Sequence, residues 1–258
     1  MDPGGSRKKR FKMRLGVFSD VHSNYEALKA SFAALEQSGV DKFICVGDIV
    51  GYGANPKECI EFIRKREILC VKGNHDHYTT LVKGPWDIQP YAEEVIRWTQ
   101  MVLDKKDIDY LSALPYTASC ENVLFAHASL EAIDGEYWPY ILDPKTALFH
   151  FFLQDTRFAF FGHTHIPLFF TYDENHKISI EILKSRKIPD EQDKQYLINP
   201  GSVGQPRDFD ARSSVVIFDT ESYNIELLRV EYDIARTQQS IISAGLPKLL
   251  ADRLSRGN

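Results

Sequence analysis

Five short clusters in this chain hold side chains able to bind cations or move protons: Asp20-Val21-His22, Gly47-Asp48, Gly73-Asn74-His75-Asp76, Ala126-His127 and Gly162-His163-Thr164-His165. Imidazole combined with carboxylate suits borderline cations such as Mn2+, Fe2+ and Zn2+. The alternate spacing of Asp20 with His22, and of His163 with His165, lets both members of each pair reach one centre from an extended segment. Each cluster also has an ordinary explanation. Gly-Asp is a common turn, Asp20 could cap a helix that follows shortly, and a lone histidine after a strand is more often a hydrogen-bonded residue than a ligand. Those explanations would have to hold at five places at once, and five of the chain's eight histidines fall there. His77, His150 and His176 have no such context.

The surrounding elements say how the clusters could meet. Each directly follows a short apolar run that reads as a strand: 13–19, 42–46, 68–71, 123–126 and 158–161. Helices are expected at 24–37, with Leu28, Phe32 and Leu35 on one face, and at 56–66, where Pro56 sits in the first turn and its missing N–H costs nothing. Strand–helix alternation with tight links predicts a parallel sheet with right-handed crossovers. Loops at the carboxyl ends of such strands converge on one crevice. The last two clusters reach that crevice if their strands join the same half of the core. Residues 78–115 read as a helical insertion (91–103 and 108–114), 134–142 as an aromatic loop, and 144–153 as a helix. Strands then dominate (168–172, 178–183, 196–198, 214–218, 225–230) before closing helices at 233–243 and 247–254. The expectation is one α/β domain over 12–258, a two-sheet core with helices outside, after a disordered basic tail at 1–11.

Composition narrows the function. The 258 residues are 43% hydrophobic, enough for a sizeable core, and carry a net charge of −5. An extended nucleic-acid groove needs a basic excess, so a nuclease is disfavoured. No run reaches the roughly 18 apolar residues of a membrane span, and the polar, basic start lacks the apolar core of a secretory signal. Cys45, Cys59, Cys70 and Cys120 show no C-x-x-C pairing and read as buried thiols, which suits the cytoplasm.

The order D-x-H, G-D, G-N-H-D, H, G-H-x-H resembles the calcineurin-like metallophosphoesterase superfamily over Asp20 to His165. Asn199-Pro200-Gly201-Ser202-Val203-Gly204-Gln205-Pro206-Arg207 resembles a segment of its small bacterial and archaeal phosphodiesterase-like members. The resemblance implies a four-layer αββα sandwich, two mixed β-sheets flanked by helices, with a metal site at the strand C-terminal ends. It implies one divalent metal on Asp20, His22 and His165, a second on Asn74, His127 and His163, Asp48 bridging them, and His75 as the catalytic histidine. The metals would be drawn from Mn2+, Fe2+/Fe3+, Zn2+ and Ni2+. The implied reaction is hydrolysis of a phosphodiester or phosphomonoester by a hydroxide activated between the metals, His75 stabilising or protonating the leaving oxygen.

One stretch departs from relatives within that superfamily. Its protein phosphatases carry G-D-x-x-D-R-G, and its symmetrical dinucleoside-tetraphosphate hydrolases keep the arginine. Here the run is Gly47-Asp48-Ile49-Val50-Gly51-Tyr52-Gly53. A Ser/Thr protein phosphatase and a dinucleoside polyphosphate hydrolase are therefore secondary expectations, and the complete ligand set disfavours a non-catalytic scaffold. Tyr52, in the arginine's place, either contacts substrate or lines the wall. Arg207 either clamps phosphate or forms a surface bridge to Asp208 or Asp210. Tyr137 and Trp138 either stack a base or aryl group or form a structural cluster. The expected partner is a small phosphorylated substrate, with neither membrane nor nucleic acid involved.

Overall fold

The chain opens on a strand, Arg14–Phe18 (β1), buried at every position but its first. Helix α1 (Tyr25–Gln37) follows, its Asn24 cap accepting a hydrogen bond from the Ala27 N–H, with Leu28, Phe32 and Leu35 on its buried face. Next come β2 (Lys42–Cys45), α2 (Pro56–Lys65), β3 (Leu69–Cys70), α3 (Asn74–Thr80), α4 (Pro90–Val102) and α5 (Lys105–Ala113). The second half runs β4 (Thr117–Cys120), β5 (Val123–Ala126), α6 (Pro144–Leu153), β6 (Phe158–Phe160), β7 (Pro167–Tyr172), β8 (Ile178–Ile182), β9 (Arg186–Lys187), β10 (Gln195–Pro200), β11 (Ser213–Asp219) and β12 (Asn224–Val230). Helices α7 (Ile234–Ser243) and α8 (Lys248–Leu254) close the fold. This computed structural model describes residues 12–258 except 83, 85–87, 132–134, 136 and 192, so the expected basic tail at 1–11 lies outside the described residues.

The strands form two mixed six-stranded sheets, ordered β3-β2-β1-β11-β12-β9 and β4-β5-β6-β10-β7-β8. In the first, β1, β2 and β3 run parallel, as strand–helix alternation requires. In the second, β5, β6 and β10 run parallel. The strand before His127 and the strand before His163 thus belong to the opposite sheet, not to the half built by β1–β3. The two sheets face each other across an apolar layer that includes Val17, Ile44, Phe125, Phe160, Val216 and Phe218. Leu28, Phe32, Leu35, Ile60 and Ile63 cover the outer face of the first sheet. Ala147 and Phe151 of α6 cover the second. The result is the expected α/β/β/α layering. A satellite cluster joins Ala92 and Val95 of α4 to Ile241 of α7, Leu250 of α8 and Tyr52.

Phe218 is fully buried between the sheets and meets the rings of Phe158 at 5.0 Å and Phe160 at 5.8 Å. Truncating an aromatic ring there loses its burial and leaves a cavity that close-packed sheets fill poorly. Phe218→Ala should cost about 3–5 kcal/mol of stability, read as a fall in the urea midpoint; a loss under 1 kcal/mol would mean that the layers repack.

Candidate metal centre

The five clusters do meet. Asp20 and His22 leave the end of β1, Asp48 the end of β2, and Asn74 and His75 open α3 just beyond β3. From the facing sheet, His127 follows β5, and His163 and His165 follow β6. The crevice therefore lies across the carboxyl edges of both sheets, and its halves are tied directly: the His163 N–H donates to the Asp20 carboxylate at 3.1–3.2 Å. Donor atoms gather in three overlapping groups, each within 4.8 Å: Asp20, His22 and His165; Asp48, His127 and His163; and His22, Asp48 and His75. Asn74 joins the second through its Oδ1, 3.2 Å from His127 Nε2.

The histidines are held as ligands are held. One ring nitrogen of each donates to a backbone carbonyl: His22 Nδ1 to Val50 at 3.1 Å, His127 Nδ1 to Val46 at 2.7 Å, His165 Nδ1 to Gln205 at 2.6 Å and His163 Nε2 to Trp138 at 3.0 Å. A carbonyl only accepts, so these nitrogens carry hydrogens, and in the neutral ring each leaves its lone pair on the opposite nitrogen. Those lone pairs face inward. His22 Nε2 and His165 Nε2 stand 2.9 Å apart, with Asp20 Oδ1 3.2 Å from His165 Nε2. Two lone pairs and a carboxylate facing one another repel unless a cation lies among them. Asp48 Oδ2 lies 3.5 Å from His22 Nε2 and 3.3 Å from His127 Nε2, between the two groups. Its other oxygen accepts the His75 backbone N–H at 2.8 Å. The residues present fit two divalent cations sharing one carboxylate.

Backbone strain concentrates in the same place. Asp20, His22, Asp48, His163 and His165, five of the seven expected ligands, have φ between 48° and 67°, the left-handed region that L-residues avoid. Such residues cost of order 1–3 kcal/mol each and persist where surrounding structure enforces them. Much of the enforcement comes from segment 199–207. The Val203 and Gly204 N–H groups donate to the Ser19 and Asp20 carbonyls, Ser202 Oγ donates to the Asp20 carbonyl, and Asn199 holds the Gly162 carbonyl. A Cβ on Gly204 would fall 1.9 Å from the Val21 oxygen, so only glycine fits there.

Electrostatics agree. Burial alone would push the Asp20 and Asp48 carboxyls up, but the imidazoles around them outweigh it, His165 first for Asp20 and His127 first for Asp48. Both stay well below the usual range. Burial likewise opposes a charge on His127, yet Asp48 and Asp20 raise it to about 9. Burial holds His163 down at about 3 and His75 at about 4. A proton held between His127 and two carboxylates occupies a place that a cation would compete for.

His75 differs from the expected ligands. Its Nδ1 is buried and has no hydrogen-bond partner among the described residues. Its ring is held by packing, 4.5 Å from Tyr52 and 4.8 Å from His22. The reason lies in the departure noted above. Gly51, with φ +99°, stands where the superfamily's phosphatases place an aspartate, and a Cβ there would sit 2.4 Å from His75 Nδ1. The adjoining acid, Asp76, does not orient His75 either; it accepts the Val50 and Gly73 N–H groups and ties two ligand loops together.

A cavity of about 300 Å3 opens over the centre, lined by Tyr52, His75, Tyr91, Trp138, Tyr140 and Arg207 among others. Arg207 does not form the surface bridges considered from sequence. Asp208 pairs with Arg229, and Asp210 with Arg212 at 2.7 Å. Instead the guanidinium turns inward, its Nη2 3.3 Å from Gln205 Oε1 and 3.5 Å from the Tyr52 hydroxyl, its buried Nε unpartnered among the described residues. Tyr137 is largely exposed at the rim, whereas the Trp138 Nε1–H donates to the Gly135 carbonyl. Sequence reasoning passed over Tyr140, whose ring stacks on His163 at 4.1 Å, and the carbonyls behind the imidazoles.

Residues 13–223 match the calcineurin-like phosphoesterase superfamily domain. The chain is 40% identical over 252 residues to the uncharacterized protein MJ0912 of Methanocaldococcus jannaschii, covering 95% of this chain and 99% of that one. It is also similar to the crystal structure of a metallophosphoesterase from Sphaerobacter thermophilus, with a TM-score of 0.82, 37% identity and coverage of 96% of this chain and 100% of the other. The hypothetical protein PH1004 of Pyrococcus horikoshii shares the fold at a TM-score of 0.75 and 18% identity, over 95% of this chain and 98% of its own.

Proposed function

The chain belongs to the calcineurin-like phosphoesterase superfamily, and from that premise we propose that it hydrolyses a phosphodiester or phosphomonoester of a small phosphorylated substrate, with two divalent cations in this centre. The observation that carries the proposal is Asp48 Oδ2 standing between the inward-facing Nε2 atoms of His22 and His127. Asp20, His22 and His165 would hold one cation and Asn74, His127 and His163 the other. When bound, such a pair supplies charge neutralisation at phosphate oxygens and a water acidic enough to attack near neutral pH. The chain's own groups do the rest. Arg207 lines the cavity with its guanidinium and binds phosphate oxygens there. Tyr52 contacts both groups, its hydroxyl 3.5 Å from Arg207 Nη2 and its ring 4.5 Å from that of His75. His75 stands at the edge of the centre, where a ring N–H can meet the leaving oxygen. The aromatic walls limit water around the substrate.

Gly51 and Tyr52 in place of an Asp-Arg pair favour a small ester over a phosphoprotein or a dinucleoside polyphosphate. The four cysteines are unpaired and buried, and no helix among the described residues is long and apolar enough to cross a membrane; we place the protein in the cytoplasm.

The test is hydrolysis of bis-p-nitrophenyl phosphate, p-nitrophenyl phosphate and a phosphopeptide by the purified chain. Turnover of at least one aryl ester is expected with Mn2+, lost on chelation, restored by added Mn2+ and absent on the phosphopeptide. Turnover indifferent to chelation, or none with any divalent cation, contradicts the proposal.

A further inference from the structure

Three of the four ligand imidazoles rest on carbonyls that lie within five residues of the end of a core strand. His163 is the exception. Its Nε2–H donates to the Trp138 carbonyl, in the aromatic loop before α6. On one face it carries the Tyr140 ring, 4.1 Å away and only 18° from parallel. The His22–His165 pair, by comparison, is 4.7 Å apart and tilted 34°. Tyr140 is 48% exposed, so its stacking is not explained by core packing. It also lines the cavity, and its hydroxyl stands beside the Arg207 guanidinium.

We propose that Tyr140 is a positioning residue: with the Trp138 carbonyl, its ring locks His163 in the rotation and tautomer that present Nδ1 to Asp48 and His127. This rests on the two-cation reading above. The carbonyl chooses the tautomer, because the nitrogen that donates cannot also offer a lone pair. One hydrogen bond still leaves the imidazole free to swing about that contact, and a flat aromatic face removes the freedom. Trp138 is itself anchored by its Nε1–H on the Gly135 carbonyl, 3.1 Å away. The loop that walls the substrate cavity and a ligand of one cation are thus a single unit. The effect should be confined to the cation held by Asn74, His127 and His163, because the ring of Tyr140 stacks on His163.

Titration calorimetry with Mn2+ on the metal-free chain tests this, comparing wild type, Tyr140→Leu and Tyr140→Phe. Wild type should show two binding events. Tyr140→Leu should weaken one of them by about 10–100-fold, the usual size for losing a group that orients a ligand, and leave the other unchanged. Tyr140→Phe keeps the ring and should restore wild-type binding. Wild-type affinities in Tyr140→Leu, equal weakening of both events, or a Phe variant as impaired as the Leu variant would each overturn the proposal. A wild type that binds fewer than two Mn2+ would instead sink the two-cation reading on which it rests.

Discussion

Asp48→Asn should abolish hydrolysis and leave the chain unable to hold a pair of cations. The substitution is a clean one. Asparagine is among the few residues that tolerate the left-handed backbone, which Asp48 adopts at φ 54°, and its Oδ1 can still accept the His75 N–H now bonded at 2.8 Å. What changes is the other atom. An amide NH2 would replace the Oδ2 that stands 3.5 Å from His22 Nε2 and 3.3 Å from His127 Nε2, removing both a shared donor and one of the centre's two converging carboxylates. The rate loss should exceed the roughly 10²–10³-fold that follows removal of a single donor to a transition state. Steady-state hydrolysis and Mn2+ stoichiometry on the same preparation check it. A variant retaining two cations and substantial turnover would remove Asp48 from its role.

His75→Ala should separate chemistry from cation binding. The contact that His75 makes with Asp48 runs through its backbone N–H, which alanine keeps, so both cations should still bind. The ring at the cavity edge is lost, and kcat should fall by roughly 10²–10⁴-fold with little change in Mn2+ affinity. His75 also lies within one donor group with His22 and Asp48, and that gives the experiment its edge. If the variant loses a cation, His75 is a ligand and not the group that meets the leaving oxygen.

The convergence of the five clusters was legible in sequence for a physical reason: a candidate cation centre at strand ends places chemically rare side chains directly after apolar runs, and such punctuation survives without knowledge of the fold. The parallel order of β1, β2 and β3 followed from local alternation with helices. What stayed hidden was non-local. Nothing in the runs before His127 and His163 says that β5 and β6 pair in the opposite sheet. Strand β9 is two residues long and β4 lacks an apolar run. Helix α3 was missed because Asn74-His75-Asp76-His77 has no apolar period. The carbonyls of Val46, Val50, Trp138 and Gln205 leave no sequence signature, since every residue has one. For Arg207 the sequence left two readings open because its neighbours are acidic; Asp208 is taken by Arg229, twenty-one positions away on β12. Tyr140 gave no signal beyond aromaticity.

Crystals of the Mn2+-loaded chain, measured at the manganese edge, bear on the central claim most directly. Two anomalous peaks are expected, roughly 3.5–4 Å apart, one bounded by Asp20, His22 and His165, the other by Asn74, His127 and His163, with Asp48 touching both. A single peak, or a pair that leaves Asp48 to one side, would contradict the account.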